Sequence, residues 1–370
     1  MNSRIELLAA AQSLVVKLGT QLLSGQDGRL DGGLIAAIAG QIAALRKRNI
    51  AVTIVSSGAI AAGLAELKLP KRPKDLASLQ AVAAVGQRRL MDTWADAFEP
   101  FGTPVAQLLL TREDVDNRTR FLNVRNTIHA ALALGAVPII NENDTISTDE
   151  IVRISFGDND ILASHVASAL RANLLVLLSV VDGLLDESGR PVRWVASVSE
   201  AQQLVRSEKS PLGKGGMSSK LEAARTMTDA GEAMIVADGR MPDVLLRLLD
   251  GEELGTLFAP ATRKRSGRSR WIGAARPAGT IVIDDGAAKA LLEKNRSLLP
   301  AGITRAEGNF DRGDIVAIVG ADGRIVGRGL TNYSAHDVSR IAGKKTAQVR
   351  EMLADAAYDE VVHRDNLVVG

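Results

Sequence analysis

Six short runs of branched aliphatic residues constrain how this chain can fold. They are Ser13 to Leu18 (SLVVKL), Ile50 to Ser56 (IAVTIVS), Pro104 to Leu110, Val137 to Asn141, Leu174 to Ser179 and Ala233 to Ala237. Each is apolar with little alternation, the pattern of a strand buried on both faces, as in a parallel sheet covered by helices. Amphipathic stretches of helical length separate the runs. The alternation predicts one large α/β domain over residues 1–258, a three-layer α/β/α sandwich with a largely parallel central sheet.

Around Leu257 the pattern changes. Residues 259–277 read as a basic linker, with five basic residues among the eight from Arg263 to Arg270. Such a run is either a solvated connection or an anion contact. Short β-like pieces follow at Thr280 to Ile283, Ile315 to Val319 and Ile325 to Leu330. Helical stretches follow near Ser334 to Ile341 and Thr346 to Leu353. The expectation is a small α+β or β-barrel-like domain over 278–357 and a tail over 358–370.

Composition excludes several classes of function. The 370 residues contain no cysteine, which removes disulfide scaffolds, thiolate metal sites and cysteine nucleophiles. A net charge of +2 gives no bulk attraction to nucleic acid, and 3% aromatic residues argue against recognition by stacking. The first 19 residues carry Glu6 within their apolar stretch and do not read as a signal peptide. No apolar run approaches the roughly 20 residues that span a bilayer. The sequence therefore predicts a soluble, cytoplasmic protein.

Ligands of open α/β sheets sit beyond the carboxyl ends of the strands, where loops and helix N-termini present backbone N–H groups. Polar residues cluster there in this sequence. Lys17 lies in an apolar strand just before Gly19, so it either meets an anion or snorkels to the sheet edge. Ser57 and Gly58 follow the second strand; Ser57 could cap the next helix or help form an anion pocket. Asn141-Glu142-Asn143-Asp144 and Gly157-Asp158-Asn159-Asp160 concentrate carboxylates and amides at two junctions, suited to an amine, a metal ion or fixed lysines. Asp160 could equally be a helix cap. Gly213 to Lys220 (GKGGMSSK) reads as a glycine-rich loop before a helix at Leu221 to Ala230. Such a loop is a nest of amides for phosphate oxygens, or a plain flexible connection. The Walker pattern is absent, because Glu208 stands where its first glycine should fall, and Ser218 breaks a G-x-G-x-x-G. The four histidines have no metal-ligand spacing, and there is no G-x-S-x-G elbow. His165 reads as a structural helix residue.

Taken together, these segments resemble the amino acid kinase family. The resemblance rests on VVKLGT (Val15 to Thr20), SSGAIAAG (Ser56 to Gly63), AAVGQRRL (Ala83 to Leu90), the stretch from Leu109 to Thr127, INEND (Ile140 to Asp144), GDND (Gly157 to Asp160) and GKGGMSSK. RWIGAARPAGTIVID (Arg270 to Asp284), GNFDRGDIV and HDVSRIAG are similar to the PUA domain that many bacterial members carry after the kinase domain.

The resemblance implies ATP-dependent phosphorylation of the γ-carboxylate of L-glutamate, the first step toward proline, with Mg²⁺. It assigns Lys17 and Lys220 to the transferring phosphoryl group and places Asp160 between them as the third catalytic residue. Ser57, Gly58, Asp144 and Asn159 match substrate-binding positions, with Asp144 a partner for the substrate's ammonium. Lys17, Ser179, Val180, Lys214, Gly215, Gly216, Met217, Ser218, Ser219 and Lys220 match nucleotide-binding positions. Val180 departs from the family, where an acidic residue often follows the hydroxyl residue. No metal-coordinating side chain is assigned. The loop from Thr111 to Arg120 matches a region associated with feedback inhibition by proline. The resemblance also implies a homo-oligomer, dimer or tetramer, and a possible hand-off of the labile product to glutamyl phosphate reductase.

The chemistry agrees with the residue types. A glutamate side chain, with an ordinary pKa of about 4.3, is ionised at neutral pH and needs no general base. Both reactants are anions, so positioning and electrostatic stabilisation must dominate, and histidine is dispensable. The rival readings are another carboxylate kinase of the same fold, such as acetylglutamate kinase or aspartokinase, and an RNA-binding protein built on the PUA domain. Residues 278–357 hold 11 basic and 10 acidic side chains, too balanced for a dominant positive field, so nucleic acid is not expected as a partner.

Overall fold

The computed structural model describes residues 3–25, 28–146, 158–186, 188–207, 214–261, 267–294, 296–352 and 358–369. The chain divides into two compact units, Met1–Lys264 and Arg265–Gly370.

The first unit is built on an eight-stranded sheet. Its strands are β1 (Ser13–Leu18), β2 (Ala51–Ser56), β3 (Val105–Leu110), β4 (Val137–Glu142), β5 (Leu174–Ser179), β6 (Trp194–Val195), β7 (Ala233–Asp238) and β8 (Thr256–Phe258). They lie in the order β3-β4-β2-β1-β5-β7-β8-β6. Every pairing is parallel except β7 with β8. All six runs singled out in the sequence are strands of this sheet. The two short strands β6 and β8 were not anticipated, because two or three residues carry no periodicity.

Side chains alternate between the faces of the sheet. Val16, Leu18, Ile54, Ile139, Val176 and Ile235 join a core with the Gly32–Lys47, Leu76–Phe98 and Val244–Leu249 helices. Val15, Val55, Ile140, Leu177 and Val236 join a second core with the Arg118–Ala133, Asp158–Leu170, Val198–Ser207 and Lys214–Asp229 helices. Two helical layers enclosing the sheet give the expected three-layer sandwich. Lys17 shares its parity with Val15 and therefore faces the second layer. The chain leaves β1 toward β2 on one side and later returns to β5 on the other, so the strand order reverses at β1, where such sheets bind ligands.

On the first face, the Ala59–Glu66 helix crosses the Leu76–Phe98 helix with almost no space between their backbones. A Cβ on Gly63 would lie 1.9 Å from the Val82 carbonyl oxygen, and one on Gly86 would lie 1.8 Å from that of Ala59. Only glycine allows this approach. It seats the long helix so that Trp94 Nε1 donates to Ser56 Oγ at the end of β2, 3.1 Å away.

The second unit is a five-stranded sheet in the order β10-β9-β11-β12-β13. The strands are β9 (Gly279–Ile283), β10 (Ile303–Gly308), β11 (Ile315–Val319), β12 (Ile325–Thr331) and β13 (Val362–Val369). Only β9 with β11 is parallel. Two boundaries differ from expectation. Part of the presumed linker is the Gly267–Ala274 helix, whose Trp271 and Ile272 are buried and whose Gly273 carbonyl accepts from Arg328 Nη1 at 2.8 Å. The basic run masked this apolar pair, and residues 262–266 of that run lie outside the described residues. The presumed tail supplies β13, which pairs with β12 along the sheet and bridges Leu298 at Val362. Its charged middle, His363-Arg364-Asp365, reads as surface because an edge strand carries such residues.

Gly86→Ala forces the two helices apart and should cost about 1–3 kcal/mol, as overpacking typically does. A lower urea midpoint at unchanged m-value is the expected result; an unchanged midpoint would mean that the crossing yields freely.

Candidate active site

Asp160 organises the carboxyl end of the sheet. It lies in the first turn of the Asp158–Leu170 helix and is 1% exposed. Its Oδ1 is 2.6 Å from Lys17 Nζ, and its Oδ2 is 3.0 Å from Lys220 Nζ. Ser219 Oγ donates to the same Oδ2 at 3.2 Å. Burial opposes the charge on Asp160, but the two ammonium groups, through their charge and hydrogen bonds, outweigh it and hold the carboxyl below its ordinary range. Lys17 neither snorkels to the sheet edge nor reaches open water, and Asp160 spends both oxygens on the lysines rather than on capping. Gly19 leaves room at this point, since a Cβ there would come within 3.3 Å of Lys17 Nζ.

Lys220 and Ser219 belong to the Lys214–Asp229 helix. The helix therefore begins seven residues before the expected Leu221, and the glycine-rich segment is its opening rather than a loop. Met217, Leu221 and Ala224 pack on the second core at helical spacing, which extends the helix back through poor helix formers. The result places the positive end of a helix dipole where the nest was expected. Lys214, Gly215 and Gly216 form the first turn, Met217 is half-buried and Ser218 is exposed. Gly213 lies outside the described residues, as does Gly157 of the GDND motif.

One residue before Asp160, Asn159 reaches the other way. Its Nδ2 donates to Ser57 Oγ at 2.6 Å and to Asn141 Oδ1 at 3.3 Å. Ser57 is thus engaged across the sheet and does not cap the following helix, whose N-cap is Gly58 with no side-chain bond. Gly58 has φ 111°, a left-handed conformation that suits glycine. Asp144 is buried at the end of the same junction. Ser179 ends β5, where its carbonyl accepts from Gly239 N at 2.8 Å, and the Val180 carbonyl accepts from Arg240 Nη2 at 2.9 Å. His165 is buried in its helix.

Asn141 belongs to the polar junction noted in the sequence but has no assigned role there, and Gln87 and Ser56 have none either. Asn141 Nδ2 donates to Gln87 Oε1 at 2.8 Å, and Asn141 Oδ1 accepts from the backbone N–H of Glu142 at 2.8 Å. A signal for both amides exists in the sequence. Asn141 closes an apolar strand, and Gln87 falls on the buried stripe Leu79, Val82, Ala83, Gly86, Leu90 of its helix. The Thr111–Arg120 segment forms the Arg112–Asp116 helix behind a capping box from Thr111 to Asp114. Burial raises the Asp114 pKa, but hydrogen bonds from Thr111 and the nearby Arg120 bring it below the ordinary value.

A site of two ammonium groups on a shared carboxylate, a helix N-terminus and a neighbouring amide–hydroxyl pocket is built to hold anions. Family comparisons agree in sequence. The amino acid kinase family matches residues 12–238, and the PUA domain matches residues 279–353. A glutamate 5-kinase of Thermus thermophilus is 47% identical over 367 residues, covering 97% of this chain and 98% of that protein. Those of Syntrophotalea carbinolica (44%, 99% of each chain) and Geobacter sulfurreducens (42%, 99% of this chain and 100% of the other) are similar along their whole length. The chain belongs to the amino acid kinase family, in the glutamate 5-kinase branch that carries a C-terminal PUA domain. Among the described residues, no helix is long and apolar enough to cross a membrane.

The depressed pKa of Asp160 sets a pH window for stability. Its contribution is fully present above the ordinary aspartate value of 3.8 and is lost as pH falls through the lower folded value. Asp160→Asn leaves two buried ammonium groups without their counter-charge and should cost about 3–5 kcal/mol at pH 7. The gap to the unaltered protein should narrow in urea titrations below the aspartate range. A pH-independent gap would contradict the ion-pair role.

Proposed function

We propose that this chain transfers the γ-phosphoryl group of ATP to the γ-carboxylate of L-glutamate, giving L-glutamyl 5-phosphate and ADP, the first step toward proline. The observation that carries the reading is the pair Lys17 and Lys220 on Asp160, one residue from the Asn159–Ser57 pocket. The full-length likeness to glutamate 5-kinases supports the choice of acceptor.

A γ-carboxylate oxygen of glutamate attacks the γ-phosphorus in line, the bond to the β,γ-bridging oxygen breaks, and ADP leaves with that electron pair. No proton needs to move. The obstacle is repulsion between an anionic nucleophile and an anionic phosphoryl group, followed by charge on the leaving oxygen. Lys17 and Lys220 contact the transferring group and offset that charge as it shifts. Asp160 touches neither reactant; it orients both ammonium groups and removes part of their mutual repulsion, leaving the cluster with a net single positive charge. Ser57, Gly58, Asn159 and Asp144 hold the amino acid, with Asp144 facing its ammonium. Ser179, Val180 and the opening of the Lys214–Asp229 helix hold the nucleotide.

The described site residues offer ammonium, hydroxyl and amide donors, which match phosphate oxygens. Among the described residues no group of three carboxylate or histidine side chains is arranged for a metal. Mg²⁺ would arrive with the nucleotide and would supply charge screening at its phosphates. The Thr111–Arg120 segment would carry proline inhibition, and the active form would be a homo-oligomer whose acyl phosphate passes to a reductase.

A hydroxamate assay against glutamate, aspartate and acetylglutamate tests the acceptor; turnover confined to either of the other two would overturn it. Lys220→Ala should lower kcat by orders of magnitude with the fold intact by circular dichroism, and near-normal turnover would remove Lys220 from the reaction. Asp144→Ala should chiefly raise the KM for glutamate, whereas an unchanged KM would exclude contact with the substrate.

A further inference from the structure

Three buried side-chain amides, contributed by three different elements, run in series behind the acceptor pocket. The direction of the series is fixed at one point by the backbone. The N–H of Glu142 can only donate, and it donates to Asn141 Oδ1, so the Asn141 nitrogen must point the other way. There it meets Gln87 Oε1 at 2.8 Å. With Asn141 Oδ1 thus presented, Asn159 turns its own nitrogen toward it and toward Ser57 Oγ, and both hydrogens of that nitrogen are used. The consequence falls on the other end of the Asn159 amide. Its Oδ1 is buried and accepts no hydrogen bond among the described residues. A buried acceptor without a donor costs free energy unless something supplies one.

We infer that Gln87 is a positioning residue that, through Asn141, locks the Asn159 amide with its oxygen available to the acceptor's α-ammonium, and thereby sets the preference for an amino acid over a plain dicarboxylate. This rests on the reading of the pocket as the glutamate site. Gln87 touches no reactant in this account. It is nearly fully buried on the Leu76–Phe98 helix, one residue beyond Gly86, whose backbone contact with the Ala59–Glu66 helix fixes its height above the strand ends. A glutamine side chain is costly at such a place in a helix stripe unless its amide is used. Removing its oxygen leaves Asn141 Nδ2 with no acceptor. Rotation of the Asn141 amide then competes with the arrangement that holds Asn159.

The test compares L-glutamate with glutarate, which has the same two carboxylates but no ammonium, on the full-length enzyme. Gln87→Met keeps the volume and loses the acceptor. It should lower kcat/KM for glutamate about tenfold, mostly through KM, with the KM for ATP within about twofold and the glutarate value nearly unchanged. Gln87→Glu retains an oxygen at the same place in either protonation state and should restore most of the preference. Equal losses on glutamate and glutarate, or a loss shared with ATP, would mark a purely structural role and overturn the inference. If Gln87→Met does not fold, Gln87→Ala, which admits water instead of a thioether, is read the same way. The unaltered enzyme is a further check: a preference for glutamate over glutarate below about twofold overturns the inference without any variant. Inactivity of the unaltered enzyme on glutamate, with turnover of another acceptor, would instead overturn the reading of the pocket on which it rests.

Discussion

The buried carboxylate of Asp160, shared between Lys17 and Lys220, is the interaction on which the remaining architecture depends. Two like charges brought to one place repel, and lysine side chains held out of water lose hydration; either effect alone would scatter them. A single carboxylate with one oxygen for each ammonium reverses the balance, because at short range in a protein environment each attraction is several times what it would be in water. Both lysines reach that point from rigid elements. Lys17 comes from the central strand of the sheet and Lys220 from the second turn of a 16-residue helix. A site so fixed would spend little free energy on reorganisation in the proposed phosphoryl transfer.

The helix that carries Asp160 joins the two halves of the site. Asn159 and Asp160 are consecutive, yet one reaches Ser57 and Asn141 while the other reaches Lys17 and Lys220. The Asn159–Ser57 pocket and the two lysines therefore cannot shift independently by more than the play of one peptide unit. From the opposite face, Gln87 and Trp94 of the Leu76–Phe98 helix hold Asn141 and Ser56 at the ends of β4 and β2. The glycine crossing at Gly63 and Gly86 brings that helix close enough to do so. Packing far from any reactant thus sets the position of the amides at the pocket.

Much of this was legible in the sequence. The apolar runs mark six of the eight strands of the main sheet, since burial on both faces leaves no alternation to misread. Lys17, Ser57, Asn159 and Asp160 stand out because polar residues within apolar strands or at strand-to-helix junctions need partners, and Lys220 because it ends a glycine-rich stretch ahead of a helix. What the sequence concealed has physical causes. The Lys214–Asp229 helix opens on glycine and serine, whose low helix propensity suggests a loop, but tertiary burial of Met217 and Leu221 overrides it. Strand β13 hides behind charges that its edge position tolerates, and the Gly267–Ala274 helix hides behind a basic run. Gln87 and Asn141 lie on apolar stripes where their polarity is visible, but only the fold reveals that they meet, 54 residues apart in the chain.

The most direct test of the account is a crystal structure of the protein with glutamate and a non-hydrolysable ATP analogue. The account predicts that both Lys17 Nζ and Lys220 Nζ lie within hydrogen-bonding distance of the γ-phosphoryl oxygens while Asp160 still bridges them. A complex in which either ammonium group makes no contact with that phosphoryl group would contradict it.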